Sequence, residues 1–345
     1  MKIKIGIYGG TNLSAEQVIL VEGITKALIQ SGEVSIVSGG FHYYINHRDH
    51  HSVDKVVMET AKKLLPEEVF FQRFETWLPK ENDRLNVTRF REGIVKEIPG
   101  STQARRFHMV THLDALITIT GEGNTQSVIE LALAINKPVL PIGFTGGDSG
   151  KMWNSYRYDI MQRLKLSKSL ELKLSQQPIL DDMPGLGSEI AEFMKNACQK
   201  TCLVLMPFAA ENNTYYDNYI SRAIEQSGYH KLRIDRVLTA GNIPDFFLKS
   251  LEDTTAVIID ITGLNANVMY ELGYVHSKKI KPLIVSRYPP GDQNPDNLPF
   301  YLKQELVVKE SDDDAGYQKI KDYITRYLDA NRSLIPSPFI HLPAV

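Results

Sequence analysis

The feature that most constrains the fold is a regular alternation of short β-rich segments with helical segments. In the first half, apolar runs such as KIGIYG, VSIVSGG and DALITIT alternate with helical patterns at 14–30, 53–65 and 101–112. The second half repeats this alternation with CLVLMPF, AVIIDIT and KPLIVS. Strands separated by helices of about 10 to 15 residues are typical of βαβ units. The sequence therefore predicts an α/β fold of two Rossmann-like domains, each a mainly parallel sheet with helices on both faces.

Length and a local change in composition indicate the domain boundaries. The chain has 345 residues, about twice the roughly 100 to 200 residues of a usual domain. A polar stretch with prolines and glycines, LSKSLELKLSQQPILDDMPGLGSE, separates the two alternating halves. Such a composition is typical of a linker. We therefore predict a first domain at 1–170, a linker with a short helix at 171–200, and a second domain at 201–345.

The charge balance argues against two classes of partner. The chain carries 39 basic and 41 acidic side chains, whereas binding to nucleic acid or to a membrane surface depends on concentrated positive charge. The N-terminal MKIKIGIYGG leads directly into a strand instead of a signal peptide, and no apolar run is long enough for a membrane helix. Cys198 and Cys202 have no evident further ligands, so we expect thiols and no metal. These features predict a cytoplasmic protein.

Three turns that contain glycine each follow a predicted strand in the first half. Glycine allows positive φ angles and lets a phosphate approach the backbone, while the start of a following helix offers N–H donors. The carboxyl ends of parallel strands meet at one edge of a sheet, so we predict one nucleotide-binding site there. Its predicted residues are Gly9, Gly10, Thr11, Ser38, Gly39, Gly40, Gly121, Glu122, Gly123, Asn124 and Thr125.

The segment RRFHMVTHLDALITITGEGNT resembles the arginine, helix, strand and Gly-x-Gly-Thr signature of the SLOG superfamily, over about residues 1 to 165. The LOG enzymes of this superfamily use the arginine and a glutamate in Gly-Gly-x-Gly-Thr-x-x-Glu. This chain departs from that pattern, because Glu122 and Asn124 replace two glycines and Val128 stands where the glutamate belongs. Glu130 is two residues late, which turns it about 200° around the helix.

These departures favour the sensor branch of the superfamily over a LOG-type enzyme. In bacterial antiphage systems, sensors of this branch are fused to sirtuin or TIR effectors. The resemblance implies a small nucleotide signal, such as a cyclic nucleotide or an ADP-ribose derivative. It also implies that Arg105 or Arg106 holds a phosphate, a task that suits a guanidinium group.

A cluster of histidines follows the second glycine turn. His42, His47, His50 and His51 lie within FHYYINHRDHH. Their spacing is irregular and only Asp49 is close by, so a metal site is not expected. We predict instead a polar loop over the nucleotide pocket.

The second half places polar residues where its predicted strands end. Met206, Pro207 and Phe208 end one strand, and Asp217 lies at the start of the following helix. Asp260 lies inside the apolar strand AVIID, where a carboxylate is costly unless a partner or a ligand binds it. The next residues, NANVMYELGYVHS, contain Asn265 and Asn267, either of which can cap the helix that carries Glu271.

This pattern resembles the nucleoside 2-deoxyribosyltransferase-like branch of the TIR-like fold, over about residues 200 to 287. The resemblance implies that Glu271 is the catalytic carboxylate and that Asp260 and Asn267 bind sugar hydroxyls. A fixed carboxylate can stabilise or trap the oxocarbenium-like state of N-glycosidic cleavage. The wider predicted substrate site contains Met206, Pro207, Phe208, Asp217 and Asn265. Tyr270, Tyr274 and His276 are further candidates for its lining.

Together the two halves predict an antiphage-type effector, in which a SLOG domain senses a nucleotide signal and a TIR-like domain cleaves an N-glycosidic bond in NAD or a nucleotide. No cofactor is required on this interpretation, and NAD is a candidate substrate. We expect a homo-oligomer, since a signal can activate only by favouring one conformation or assembly. Two alternatives remain open: a constitutive nucleoside 2-deoxyribosyltransferase or nucleotide N-glycoside hydrolase, and a non-catalytic nucleotide-binding scaffold.

Overall fold

The chain forms two compact α/β units. A computed structural model describes residues 3–32, 34–46, 50–81, 86–198, 200–234, 243–252, 254–290 and 298–333. The first unit ends at Cys198, and the second begins with a strand at Lys200. Each contains a parallel sheet with helices around it, so the predicted fold class is confirmed.

The N-terminal unit contains a sheet of six parallel strands in the order β6-β4-β2-β1-β7-β8, and β3 and β5 form a small antiparallel pair. Its elements are β1 Ile3–Gly9, α1 Ala15–Gln30, β2 Val34–Ser38, β3 Phe41–Tyr44, α2 Val53–Leu64, α3 Glu67–Arg73, β4 Phe74–Pro79, β5 Val87–Arg89, β6 Ile94–Ile98, α4 Thr102–His112, β7 Ala115–Ile119, α5 Asn124–Ala134, β8 Val139–Ile142, α6 Gly147–Leu164, α7 Lys168–Ser175 and α8 Met183–Ala197.

Strand β1 is the centre of this sheet. Ile5 pairs with Ile36 of β2 on one side and with Ala115 of β7 on the other. The chain first builds outward through β2, β4 and β6, and then crosses to the opposite side of β1 to add β7 and β8. Ligands of open parallel sheets bind beyond the carboxyl ends of the strands at such a reversal. The topology therefore predicts a ligand site at the edge where β1 and β7 end.

The C-terminal unit contains five parallel strands in the order β10-β9-β11-β12-β13. This order reverses direction between β9 and β11, which makes that crevice the expected ligand position. Its elements are β9 Lys200–Leu205, α9 Asn212–Tyr215 with a π-turn at Tyr216–Ile220, α10 Ser221–Gln226, β10 Tyr229–Arg233, α11 Ile243–Glu252, β11 Ala256–Asp260, α12 Ala266–Ser277, β12 Leu283–Tyr288, β13 Val307–Ser311 and α13 Asp314–Ser333.

The stretch 171–200, which we expected to be a linker with a short helix, differs from that expectation. Most of it forms α7 and α8, which belong to the N-terminal unit. Leu186, Ile190 and Met194 of α8 are buried in the same core as strand β1. A spacing of four residues is typical of the apolar stripe of a helix. The neighbouring prolines and glycines made this stretch resemble a linker instead.

Helix α8 packs closely against α1 at a pair of glycines. A Cβ added to Gly187 would lie 2.8 Å from the Ile24 nitrogen and 2.9 Å from the Gly23 carbonyl carbon. Since both atoms are backbone, neither can rotate away. The contact therefore depends on the absence of a side chain at Gly187.

We expect Gly187→Ala to lower the free energy of unfolding of the N-terminal unit by about 1 to 3 kcal/mol, because overpacking a close contact forces the backbone to shift. Urea unfolding of the full chain measures this effect. Gly185→Ala is the matched control, because a Cβ there meets no atom within 4 Å. Equal stability of the two variants would contradict the packing of α8 on α1.

Candidate functional site

A cavity of about 340 Å³ opens at the carboxyl edge of the N-terminal sheet, where β1 and β7 end. It combines glycine-containing turns with aromatic rings and three guanidinium groups, a lining suited to a small anionic organic ligand. The lining residues are Tyr8, Gly9, Gly10, Thr11, Asn12, Phe41, Tyr44, His50, Ser52, Asp54, Arg89, Arg105, Arg106, Thr120, Gly121, Glu122, Asn124 and Thr125.

Two of the three predicted glycine turns lie in this lining, and their glycines are sterically required. A Cβ added to Gly9 would lie 2.0 Å from the Ile119 carbonyl oxygen, because β1 and β7 converge there. Gly121 has a φ of +106°, and its Cβ would lie 2.2 Å from the Thr125 hydroxyl oxygen. Gly123, also predicted as a ligand contact, lies outside the lining.

The second glycine turn does not line the cavity, which corrects the prediction for Ser38, Gly39 and Gly40. Its donors instead bind a carboxylate of the protein. The Ser38 hydroxyl and the Gly39 N–H donate to one oxygen of Asp54 at 2.7 and 2.9 Å. The Phe41 N–H donates to its other oxygen at 3.0 Å. Asp54 thus occupies the position that we expected for a ligand phosphate.

A second internal carboxylate occupies the start of α5. The N–H groups of Thr125 and Gln126 both donate to Oδ2 of Asp148 at 3.1 Å. Asp148 is only 2% exposed and lies in the first turn of α6. A carboxylate at a helix N-terminus is stabilised by the N–H donors and by the helix dipole. These donors, which the sequence led us to expect for a phosphate, are therefore already satisfied.

Arg105 is the least compensated charge in the cavity. Its side chain is 2% exposed, yet no ion pair joins it to any carboxylate in the described part of the chain. One guanidinium nitrogen donates to the Met109 sulfur at 3.1 Å, and Nε has no hydrogen-bond partner. The ring of Tyr8 lies 6.0 Å from the guanidinium carbon. A thioether is a weak acceptor. Asp54 is close, since its Oδ2 and the Arg105 terminal nitrogen would lie 3.2 and 2.2 Å from the same Cβ added to Gly39, but the two form no ion pair. The buried positive charge is therefore only partly compensated.

Two further arginines contribute to the lining. Arg106 is also buried; its Nε donates to the Tyr8 hydroxyl at 2.9 Å, and a second nitrogen donates to Gln103 at 2.9 Å. Arg89 donates to the Gly39 carbonyl oxygen at 2.9 Å. The sequence left open which of Arg105 and Arg106 faces the pocket, and in the structure both line it.

The described histidines of the cluster do not come together in one site. His50 lines the cavity, whereas His51 borders a separate surface groove between α1 and α2. Burial lowers the pKa of the half-buried His42, and His47 lies outside the described residues. Within the described ranges, no three histidine, cysteine or acidic side chains are arranged to hold a metal ion. None of the described helices has both the length and the apolar character needed to cross a membrane.

In the C-terminal unit, Asp260 has a structural partner, which contradicts its predicted role as a sugar ligand. Its side chain is 0% exposed, and Nε of Arg287 donates to Oδ2 at 3.0 Å. Thr262 donates to Oδ1 through its N–H at 2.9 Å and through its hydroxyl. Arg287 also donates to Asp312 and Asn212, at 2.7 Å each, so this network joins the ends of four strands or their loops.

The other predicted substrate contacts around this crevice have mixed positions. Asn265 caps α12, because its side-chain oxygen accepts the Asn267 and Val268 N–H groups at 3.0 and 3.4 Å. Asn267 is exposed, as is Asp217. Of the three predicted residues that follow β9, Met206 is buried, Pro207 is half-buried and Phe208 is exposed.

Glu271 lies in the second turn of α12, directly after the crevice strand β11. It is half-buried, and no hydrogen bond or ion pair joins it to another described residue. Burial raises the pKa of Glu271 to about 7. Among its helix neighbours, Tyr270 is exposed, and Tyr274 packs edge-on against Phe247 at 6.0 Å. Glu271 is therefore a carboxylate that can change protonation state near neutral pH.

Sequence reasoning missed four residues that decide the chemistry of these sites: Arg89, Asp54, Asp148 and Arg287. Each acts through a contact distant along the chain; Arg287, for example, binds an aspartate 27 residues earlier. A buried aspartate after a strand signals that some partner exists. The type of residue alone cannot show which arginine or amide supplies it.

No family model and no curated protein matches this chain. Solved structures match part of it. The X-ray structure of the structural-genomics target TM1055 is 20% identical over 45% of this chain and 81% of its own, with a TM-score of 0.33. The molybdenum cofactor binding protein of Rippkaea orientalis is 23% identical over 40% of this chain and 75% of its own, with a TM-score of 0.32. The molybdenum cofactor carrier protein of Chlamydomonas reinhardtii is 18% identical over 46% and 88%, with a TM-score of 0.34. Similarity at this level transfers neither ligand nor activity, and the two resemblances seen in the sequence stay predictions.

We expect Asp260→Ala to lower the free energy of unfolding of the C-terminal unit by about 3 to 5 kcal/mol, because it leaves the Arg287 guanidinium buried without its carboxylate. Chemical denaturation followed by circular dichroism measures the loss. Asn267→Ala, which alters an exposed side chain of the same crevice, serves as the control. A stable Asp260→Ala variant would contradict the structural role of the Asp260–Arg287 pair.

We expect the free energy of unfolding to fall as pH rises from about 4.5 to about 7, through the Glu271 carboxyl group. In this window the folded chain keeps a proton that the unfolded chain has released, so rising pH favours unfolding. Glu271→Gln removes this contribution, and its stability relative to the unmodified protein should rise across the same window. Glu305→Gln, at an exposed position, should show no such trend, and parallel curves for both variants would refute the raised pKa.

Proposed function

We propose that the N-terminal cavity binds a small phosphate-bearing ligand of the nucleotide class. The observation that carries this proposal is the buried guanidinium of Arg105, which lines an open cavity and forms no ion pair with a described carboxylate. Burying an uncompensated charge costs several kcal/mol, and a ligand phosphate would remove that cost with charge-assisted hydrogen bonds. The rings of Tyr8, Phe41 and Tyr44 offer apolar surface for the organic part of the ligand.

For the C-terminal unit we propose cleavage of an N-glycosidic bond, with Glu271 as the carboxylate that stabilises or traps the sugar cation. The supporting observation is its combination of position, burial and lack of a partner at the carboxyl edge of the sheet. NAD and nucleotides are the candidate substrates. Nicotinamide leaves NAD without prior protonation, so the reaction needs only the ionised carboxylate and no separate acid.

Together these proposals describe a ligand-controlled N-glycosidase, for which the resemblance seen in the sequence suggests a role in antiphage defence. Ligand binding would select an active conformation or a homo-oligomer. A constitutive deoxyribosyltransferase or nucleotide hydrolase would act without the first ligand, and a scaffold would bind nucleotides in both units without releasing a base.

We expect Arg105→Ala to weaken phosphate-ligand binding about 10- to 100-fold, since a hydrogen bond to a charged group contributes about 1.5 to 3 kcal/mol. Calorimetric titration with AMP, ADP-ribose and cyclic nucleotides measures it. Arg157→Ala, on α6 outside the cavity lining, is the control. Affinity that is unchanged in Arg105→Ala would remove the basis for the binding proposal.

Base release from NAD and from deoxynucleosides, followed by chromatography with and without the bound ligand, tests the catalytic proposal. We expect release only with the ligand, and a loss of at least 100-fold in Glu271→Gln, because a neutral amide cannot stabilise the sugar cation. Glu305→Gln should retain full activity. Release without ligand supports the constitutive alternative, and no release under any condition supports the scaffold.

A further inference from the structure

We infer that Glu122 and Asp148 determine specificity: they restrict the N-terminal cavity to ligands that carry negative charge at one end only. This inference rests on the proposed function, since it concerns the ligand of the same cavity. It reverses the sequence expectation, in which the glycine turn after β7 and the start of α5 would hold the phosphate.

The side of the cavity formed by β7 is closed to an anion. The Thr125 and Gln126 N–H groups at the start of α5 donate to Asp148, so these two donors have no capacity for a phosphate oxygen. The Asp148 N–H in turn donates to the Gly121 carbonyl oxygen at 2.8 Å, which fixes the carboxylate in place. Gly147 allows this close approach, because its φ is +58° and a Cβ there would lie 2.4 Å from that oxygen.

Glu122 adds a second negative charge on the same side. It lies in the turn between β7 and α5, lines the cavity and is exposed. No hydrogen bond or ion pair ties it to any residue that the structure describes. A phosphate approaching this turn would therefore meet a carboxylate without a compensating cation. Ligand hydroxyl or amino groups, in contrast, can donate hydrogen bonds to Glu122.

The positive charge lies on the opposite side, towards β2, where the Asp54 carboxylate in the lining is already bound by the Ser38 hydroxyl and by the Gly39 and Phe41 N–H groups. Arg105 contacts the turn after β2, since its terminal nitrogen would lie 2.2 Å from a Cβ on Gly39. Arg89 donates to the carbonyl oxygen of the same glycine. Strands β2 and β7 flank β1 on either side, so the two ends of the cavity are separated by about 10 Å, twice the usual distance between strands.

This arrangement selects a ligand with a phosphate at the β2 side and a neutral, hydrogen-bond-donating part, such as sugar hydroxyls, at the β7 side. A molecule with phosphates at both ends would place its second phosphate against Glu122, at a turn where Asp148 already occupies the Thr125 and Gln126 N–H donors. The discrimination therefore comes from repulsion at one end as much as from attraction at the other.

Calorimetric titration with AMP and with adenosine 3′,5′-bisphosphate tests the inference, because the two differ by one phosphate on the ribose. We expect the unmodified protein to bind AMP at least about tenfold more tightly, equivalent to about 1.4 kcal/mol. Glu122→Gln should reduce this preference to about threefold or less, mainly by tightening the bisphosphate. Asp148→Asn, which keeps the oxygen acceptor but removes the charge, should act in the same direction.

Glu130→Gln is the matched control, because Glu130 lies on α5 but outside the cavity lining. Equal affinity of the unmodified protein for the two compounds would overturn the inference, as would a preference that Glu122→Gln leaves unchanged. Glu122 is exposed, so its variant decides the matter even if Asp148→Asn does not fold. The proposed function fails differently: neither compound nor inorganic phosphate would then bind, or binding would survive Arg105→Ala.

Discussion

The cost of burying charge at the carboxyl edge of a parallel sheet shapes both units of this protein. An ion moved out of water loses several kcal/mol of hydration unless hydrogen bonds or an opposite charge replace it. Asp54 and Asp148 meet this requirement with backbone and hydroxyl donors, and Asp260 meets it with Arg287. Arg105 differs from these groups, because its hydrogen bond goes to a sulfur and it forms no ion pair with a described carboxylate, although Asp54 is close. The proposed ligand site follows from that difference.

The first N–H groups of α5 and of α12 find their hydrogen-bond acceptors in different ways. In each unit a strand is followed by Thr-Gly, a polar loop and a helix with Glu-Leu. In the second copy the helix is capped from within by Asn265, one residue before its start. In the first copy the cap is Asp148, 23 residues after Thr125. The first copy therefore binds an internal anion where an open glycine turn would accept an external one.

The fold was predictable because it depends on local periodicity. Alternating strands and helices determine parallel βαβ units, and the order of strands around β1 and β9 agrees with that class. The linker prediction was wrong because Pro184, Gly185 and Gly187 were given more weight than the apolar stripe of α8. The glycine turns were located correctly in sequence, but which N–H groups remain for a ligand depends on residues 15 to 23 positions away. Such contacts leave no periodic trace in a single sequence.

The direct test of this account is a crystal structure of the protein with bound AMP. We expect a phosphate within hydrogen-bonding distance of the Arg105 guanidinium on the β2 side, with ribose hydroxyls facing Glu122 and with Asp148 still bound to the start of α5. A phosphate seated on the α5 N–H groups with Asp148 displaced would contradict it. So would a cavity in which AMP leaves the Arg105 guanidinium without a phosphate contact.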